Sequence, residues 1–140
     1  PKPLGIANSK PRFSFVVPAQ SVRGVRQAAY QITVETHSGV QVWDSGVVHS
    51  NASLVDCGAG LSADSAYTWT IRWWSESAGP SAVAKQAFST GLFEEADWAG
   101  AEWITAQEAG SAAVELLLRF QAPSPSRARA YVASSGGFVL

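Results

Sequence analysis

The chain has 140 residues, with ten Lys+Arg against eleven Asp+Glu and a formal charge of −1. That length fits one ordinary domain, or a small domain with part of another, and the charge balance offers neither a basic stripe for nucleic-acid phosphates nor a polybasic segment for an anionic membrane. Six Trp and a charged fraction of only 15% suit short strands joined by turns better than long salt-bridged helices, so the composition leans all-β. Cys57 is the single cysteine. It excludes an internal disulfide and a Cys-rich zinc site, and reads as a small buried hydrophobe.

The chain opens on PKPLGIANSKP, which has neither the charged start nor the apolar run of a signal peptide, and no stretch of 18 apolar residues follows to span a membrane. Compartment is left open. RFSFVV, residues 12–17, lies between Pro11 and Pro18 and predicts a first strand of about six residues, because proline cannot donate within a ladder. SVRGVRQ reads as a solvated connection. AYQITVET then alternates with period two, which turns Tyr30, Ile32 and Val34 inward and Ala29, Gln31, Thr33 and Glu35 outward. His37-Ser38-Gly39 supplies a tight turn, so a hairpin to VQVW is expected, closed by the turn chemistry of Asp44-Ser45-Gly46. Asn51-Ala52-Ser53 matches the N-glycosylation triplet but reads as a plain turn.

After Ser53–Cys57 and the Gly-rich CGAGL comes YTWTIRWWSE. Strict alternation puts Tyr67, Trp69, Ile71 and Trp73 on one face and Thr68, Thr70, Arg72 and Trp74 on the other. AGPS breaks the strand, and AKQAFST returns as the last one. About seven short strands with turns every 8 to 12 residues predict a β-sandwich. From Gly91 the alternation fades, and GLFEEADWAGAEWI reads as a connector pinned by Phe93, Trp98 and Trp103. A new alternating run starts at AVELLLRFQ, with Val114, Leu116, Leu118 and Phe120 on one face, followed by RARAYVAS and GGFVL. About three strands are too few to close a second sandwich. The expected organisation is therefore a sandwich over 1–91, a connector over 92–112 and the incomplete start of a second β-sandwich over 113–140, within a longer polypeptide.

Little in the chain points to catalysis. Glycoside hydrolysis needs two carboxyls facing each other, about 5–5.5 or 6.5–9.5 Å apart, but Glu94, Glu95 and Asp97 sit together in the connector as a solvated face or helix start. Asp44 has a sufficient explanation in bonding its own turn. His37 and His49 lack ligand spacing. Ser38, Ser45 and Ser135 precede Gly, yet none lies in a strand-to-helix elbow, and no phosphate-cradling glycine motif occurs. No catalytic, metal or cofactor-binding residue is assigned.

LSADSAY, with Leu61 six positions before Tyr67, is similar to the corner before the sixth strand of fibronectin type III domains, where a Tyr hydroxyl ties back to nearby backbone. The ordered set PLGI, PRFSF, RQAAYQITV, VWDSG, YTWTIRWW and FSTGLFEEADWAGAEWI resembles the N-terminal fibronectin-like module of bacterial α-L-rhamnosidases of glycoside hydrolase family 78. LLLRFQAPSPSRARAYVASSGGFVL resembles the start of the next, carbohydrate-binding-module-like sandwich. The resemblance implies a non-catalytic scaffold or spacer of an enzyme that removes terminal α-L-rhamnose from glycosides. Its catalytic carboxylates would lie in a later (α/α)6 barrel, and its partners would be later domains of the same polypeptide. The family often has Trp-Asp where this chain has Trp74-Ser75, and an aromatic pair where it has Gly137-Phe138. The alternative is a carbohydrate-binding module in its own right that uses exposed aromatics. Trp74 is the one candidate contact, for a sugar or for a neighbouring domain, because it faces away from Trp69 and Trp73.

Overall fold

The computed structural model describes residues 3–17, 25–76, 79–105, 116–119, 121 and 128–135. The chain divides into two compact units, Pro1–Ala101 and Glu102–Leu140.

The first unit holds six strands among its described residues: β1 (Arg12–Ser14), β2 (Gln27–Thr36), β3 (Gln41–Asp44), β4 (Leu54–Asp56), β5 (Ala66–Ser75) and β6 (Ala84–Ser89). They form two antiparallel sheets, β1-β4 and β3-β2-β5-β6. Alternation fixes the register of the larger sheet, because a one-residue slip would turn every apolar side chain to water. Ile32 stands opposite Ile71, Val34 opposite Trp69 and Tyr30 opposite Trp73. Tyr30, Ile32 and Val34 are buried as their spacing predicts, and Ile32 and Val34 are 0% exposed. Burying each stabilises the fold by roughly 1.5–3 kcal/mol.

Phe13 from the small sheet joins this core with Cys57, Leu61, Tyr67, Ile71 and Phe88, while Trp43, Trp69 and Trp73 pack against it half-buried. Phe13 stacks on Trp69 at 4.9 Å, and Tyr67 stacks on Phe88 at 5.6 Å. Trp43 packs so closely over Gly58 that a β-carbon there would lie 2.6 Å from its Nε1, well inside contact distance. That position admits only glycine without a shift. The β2–β3 hairpin turns through Gly39, at φ +85°, with Thr36 N–H donating to the Val40 carbonyl at 2.8 Å.

The Tyr67 corner forms as expected and carries a second tie. Ser62 N–H donates to Tyr67 Oη at 2.9 Å. Thr90, 0% exposed, donates from Oγ1 to the Ser62 carbonyl at 2.7 Å and accepts from Ser65 N–H at 2.9 Å. These bonds hold a loop whose Asp64 adopts the left-handed φ of 44°, a conformation Asp tolerates better than most residues. On the other side of Thr90 the chain start runs parallel to the chain exit. Ile6 N–H donates to the Ser89 carbonyl at 3.0 Å, and Gly91 N–H to the Ile6 carbonyl at 2.9 Å.

Two expectations need correction. The first strand is three residues rather than about six, because its partner β4 is itself only three long and Val16 turns out to solvent at 88% exposure. The connector is pinned by fewer anchors than its aromatics suggest. Phe93 and Trp98 are half-buried around a short 3-10 helix, Glu95–Trp98, whereas Trp103 is 80% exposed.

In the second unit, the described residues contain no strand, and Leu116, Leu117 and Leu118 are 54%, 72% and 82% exposed. Val114, Phe120 and Gly137-Phe138 lie outside the described residues.

Candidate functional site

Trp74 sits near the end of β5, opposite Ala29 of β2 and bridged to Pro80 on its other side. It is half-buried and stands outside the core that holds Trp69 and Trp73, as alternation predicts. Apart from Ala29 and Trp74, the sheet face it shares is polar, its side chains alternating along β2 and β5 with the buried apolar ones. Arg72 lies opposite Gln31, Thr70 opposite Thr33, and Thr68 opposite Glu35. Across the next rungs, Asp44 lies opposite Thr33 and Lys85 opposite Thr70.

Several of these side chains are already ordered by one another. Gln31 Nε2 donates to both carboxylate oxygens of Asp44, at 2.9 and 3.1 Å, and the Thr33 and Thr70 hydroxyls are 2.6 Å apart. Asp44 also accepts Gly46 N–H at 2.8 Å, which closes its own turn. Arg72 is exposed and makes no hydrogen bond or ion pair to another described residue. Such an arrangement can stack a flat ring and donate or accept several hydrogen bonds at its edge. It offers no activated nucleophile.

The other residues with chemical potential are spent on structure or stand apart. Cys57 is buried, and desolvation pushes its thiol pKa up, away from the reactive thiolate. Asp97 accepts Phe93 N–H at 2.7 Å and Glu94 N–H at 3.0 Å, and those bonds hold its carboxyl below the usual range. Asp56 is likewise lowered by the hydrogen bond from Arg12. Both shifts favour the charged form, the reverse of what a proton donor needs. Ser45 accepts Ile32 N–H at 2.9 Å and donates to the Gly46 carbonyl, and Ser38 meets Thr36 at 2.9 Å. His37 and His49 are exposed, and among the described residues no group of three or more His, Cys, Asp or Glu could hold a metal ion. What the sequence alone did not bring together is the Gln31–Asp44 pair beside Arg72. Alternation marks each residue as outward, but the adjacency comes from the three-strand register.

The family model described as "Rha78A-like, N-terminal immunoglobulin domain" matches residues 1–94. An α-L-rhamnosidase of Formosa agariphila is 34% identical over 114 residues, 74% of this chain and 12% of the relative. One of Alteromonas sp. is 33% identical over 117 residues, 78% of this chain and 13% of the relative. Among solved structures, an α-L-rhamnosidase from Dictyoglumus thermophilum is similar at a TM-score of 0.70 and 30% identity, covering 76% of this chain and 13% of that one. The Streptomyces avermitilis α-L-rhamnosidase complexed with L-rhamnose is similar at 0.67 and 36%, covering 75% of this chain and 11% of that one. The chain thus spans a small part of the length of the proteins it matches. With its two antiparallel sheets and its Tyr67 corner, it belongs to the family of Rha78A-like N-terminal immunoglobulin domains.

Proposed function

We propose that the chain is a non-catalytic N-terminal portion of an α-L-rhamnosidase, serving as scaffold and spacer for a catalytic barrel that removes terminal α-L-rhamnose from glycosides. The observation that carries this reading is the match of residues 1–94 to an N-terminal domain family, joined to relatives that carry the α-L-rhamnosidase name over much longer chains. In this reading residues 1–91 are the sandwich, 92–112 the connector and 113–140 the first strands of a second β-sandwich module. The exposed Leu116 and Leu118, which share a face of the alternating run, support the last part, since an apolar strand face is stable when a further sheet covers it.

Assaying a chromogenic α-L-rhamnoside tests the reading. The 140-residue chain releases no chromophore above buffer, and a polypeptide extended to the length of the relatives does. Turnover by the short chain would sink it. A second reading, a module that itself contacts sugar, draws on Trp74 alone, the one aromatic on the outer sheet face among the described residues.

A further inference from the structure

The outer face of the larger sheet combines groups that the core leaves over. Trp74 lies directly across from Ala29, and Ala29 is 2% exposed although it points outward. A methyl group on an outer face is hidden when a large neighbour lies across it, and the indole is the cross-strand neighbour. Trp74 itself stays half-buried, so the indole that lies across Ala29 keeps part of its surface exposed.

Two residues along β5 stands Arg72, with five N–H donors and no partner among the described residues. Opposite Arg72, Gln31 has its amide nitrogen locked on Asp44, which fixes where its carbonyl oxygen points. The Asp44 carboxylate already accepts from Gln31 on both oxygens and from Gly46 N–H on Oδ1, so it serves to fix Gln31. From Thr70 to Trp74 the face runs about 13 Å, and across β2, β5 and β6 about 10 Å, room for more than one sugar ring.

We propose that this face is a binding site for a neutral saccharide, with Trp74 stacked on a pyranose ring and Arg72 and Gln31 taking its hydroxyls, Gln31 being held in place by Asp44. A flat aromatic covers the C–H face of a pyranose, while fixed donors and acceptors at its rim meet the hydroxyls. The charged groups on the face decide for a neutral ligand. Arg72 and Lys85 are set against Glu35 and Asp44, so no excess of cation is left for an anionic polymer. The choice of a saccharide, rather than another polyhydroxylated ligand, rests on the function proposed above.

The test titrates the 140-residue chain with methyl α-L-rhamnopyranoside and follows the indole N–H resonances. Sorbitol, which has hydroxyls but no ring face, is the control. The glycoside gives a saturable shift of one indole that sorbitol does not reproduce. Trp74→Ala removes it, Trp74→Phe retains weak binding, and Arg72→Gln weakens it about tenfold, the loss of one charge-assisted hydrogen bond. Unchanged core amide resonances establish that each variant is folded.

The proposal is overturned by the absence of a saturable shift, by a shift that survives Trp74→Ala, or by an equal response to sorbitol. It is equally overturned if the Trp74 indole of the extended polypeptide no longer responds, since a later domain then covers the face. Hydrolysis of a chromogenic rhamnoside by that extended polypeptide is read in parallel. Binding lost with hydrolysis intact removes the site alone, and hydrolysis absent with binding intact removes the rhamnosidase reading.

Discussion

The two ends of β5 have the same backbone and nearly the same aromatic content, but they are held in opposite ways. At the Tyr67 end, the ring stacks on Phe88, the hydroxyl accepts Ser62 N–H, and buried Thr90 binds the same loop from behind. At the Trp74 end, the indole lies across from Ala29 on a face it shares with polar side chains, of which Arg72 has no partner among the described residues. The difference teaches that aromatic density alone does not mark a site. Position relative to the alternation decides whether a ring stabilises the fold or is left available to a ligand.

The sharpest way to break that contrast is to truncate both ends. Tyr67→Ala costs about 3–5 kcal/mol, because it opens a cavity in the core and orphans a backbone N–H. Trp74→Ala costs about 1 kcal/mol or less, as expected for a side chain outside the core. Urea unfolding midpoints measure both, and equal losses would erase the distinction between the two ends.

A smaller change sharpens the contrast from within the clamped end. Thr90→Val keeps the shape but removes the hydroxyl shared by Ser62 and Ser65, at a cost of about 1–3 kcal/mol. Calorimetric melting shows it as a lowered Tm, and an unchanged Tm would mean that the Tyr67 hydroxyl alone holds the loop.

The smallest effect compares a neutral tie with a charged one. The Phe93 and Glu94 amides hold the Asp97 carboxyl below its ordinary pKa. Its contribution is therefore present above the unfolded pKa and is lost as pH falls through the lower, folded one. Amide exchange at Phe93 and Glu94 accelerates on acidification beyond the usual carboxylate range, after correction for intrinsic rates, while exchange at Ser62, held by a Tyr hydroxyl, does not. Parallel behaviour of the two would count against a charge-dependent cap.

The long strands were legible because period two needs only local sequence. Tyr30, Ile32 and Val34 on β2, and Tyr67 and Ile71 on β5, are buried where alternation put them, and Leu61 with Tyr67 marked the corner. The length of β1 was not legible, since it depends on how many residues of β4 stand opposite, and β4 is separated from it by two strands of the other sheet. Nor was the role of Thr90, a residue with nothing unusual around it in sequence, whose partners lie 25 and 28 positions away. At the candidate site, the outward direction of Trp74 and Arg72 was readable, but the Gln31–Asp44 bond beside them depends on the pairing of β2 with both neighbours.

The parallel pairing of Ile6 with Thr90 also has a mechanical meaning. The chain enters and leaves the strands of the sandwich along neighbouring, like-directed segments, so tension between these two segments pulls them past each other rather than apart. The Ile6–Ser89 and Gly91–Ile6 hydrogen bonds then bear load together, in shear, and must yield together. A domain built this way passes force directly between its entering and leaving segments, with the sandwich itself left outside the load path until that short clasp gives way.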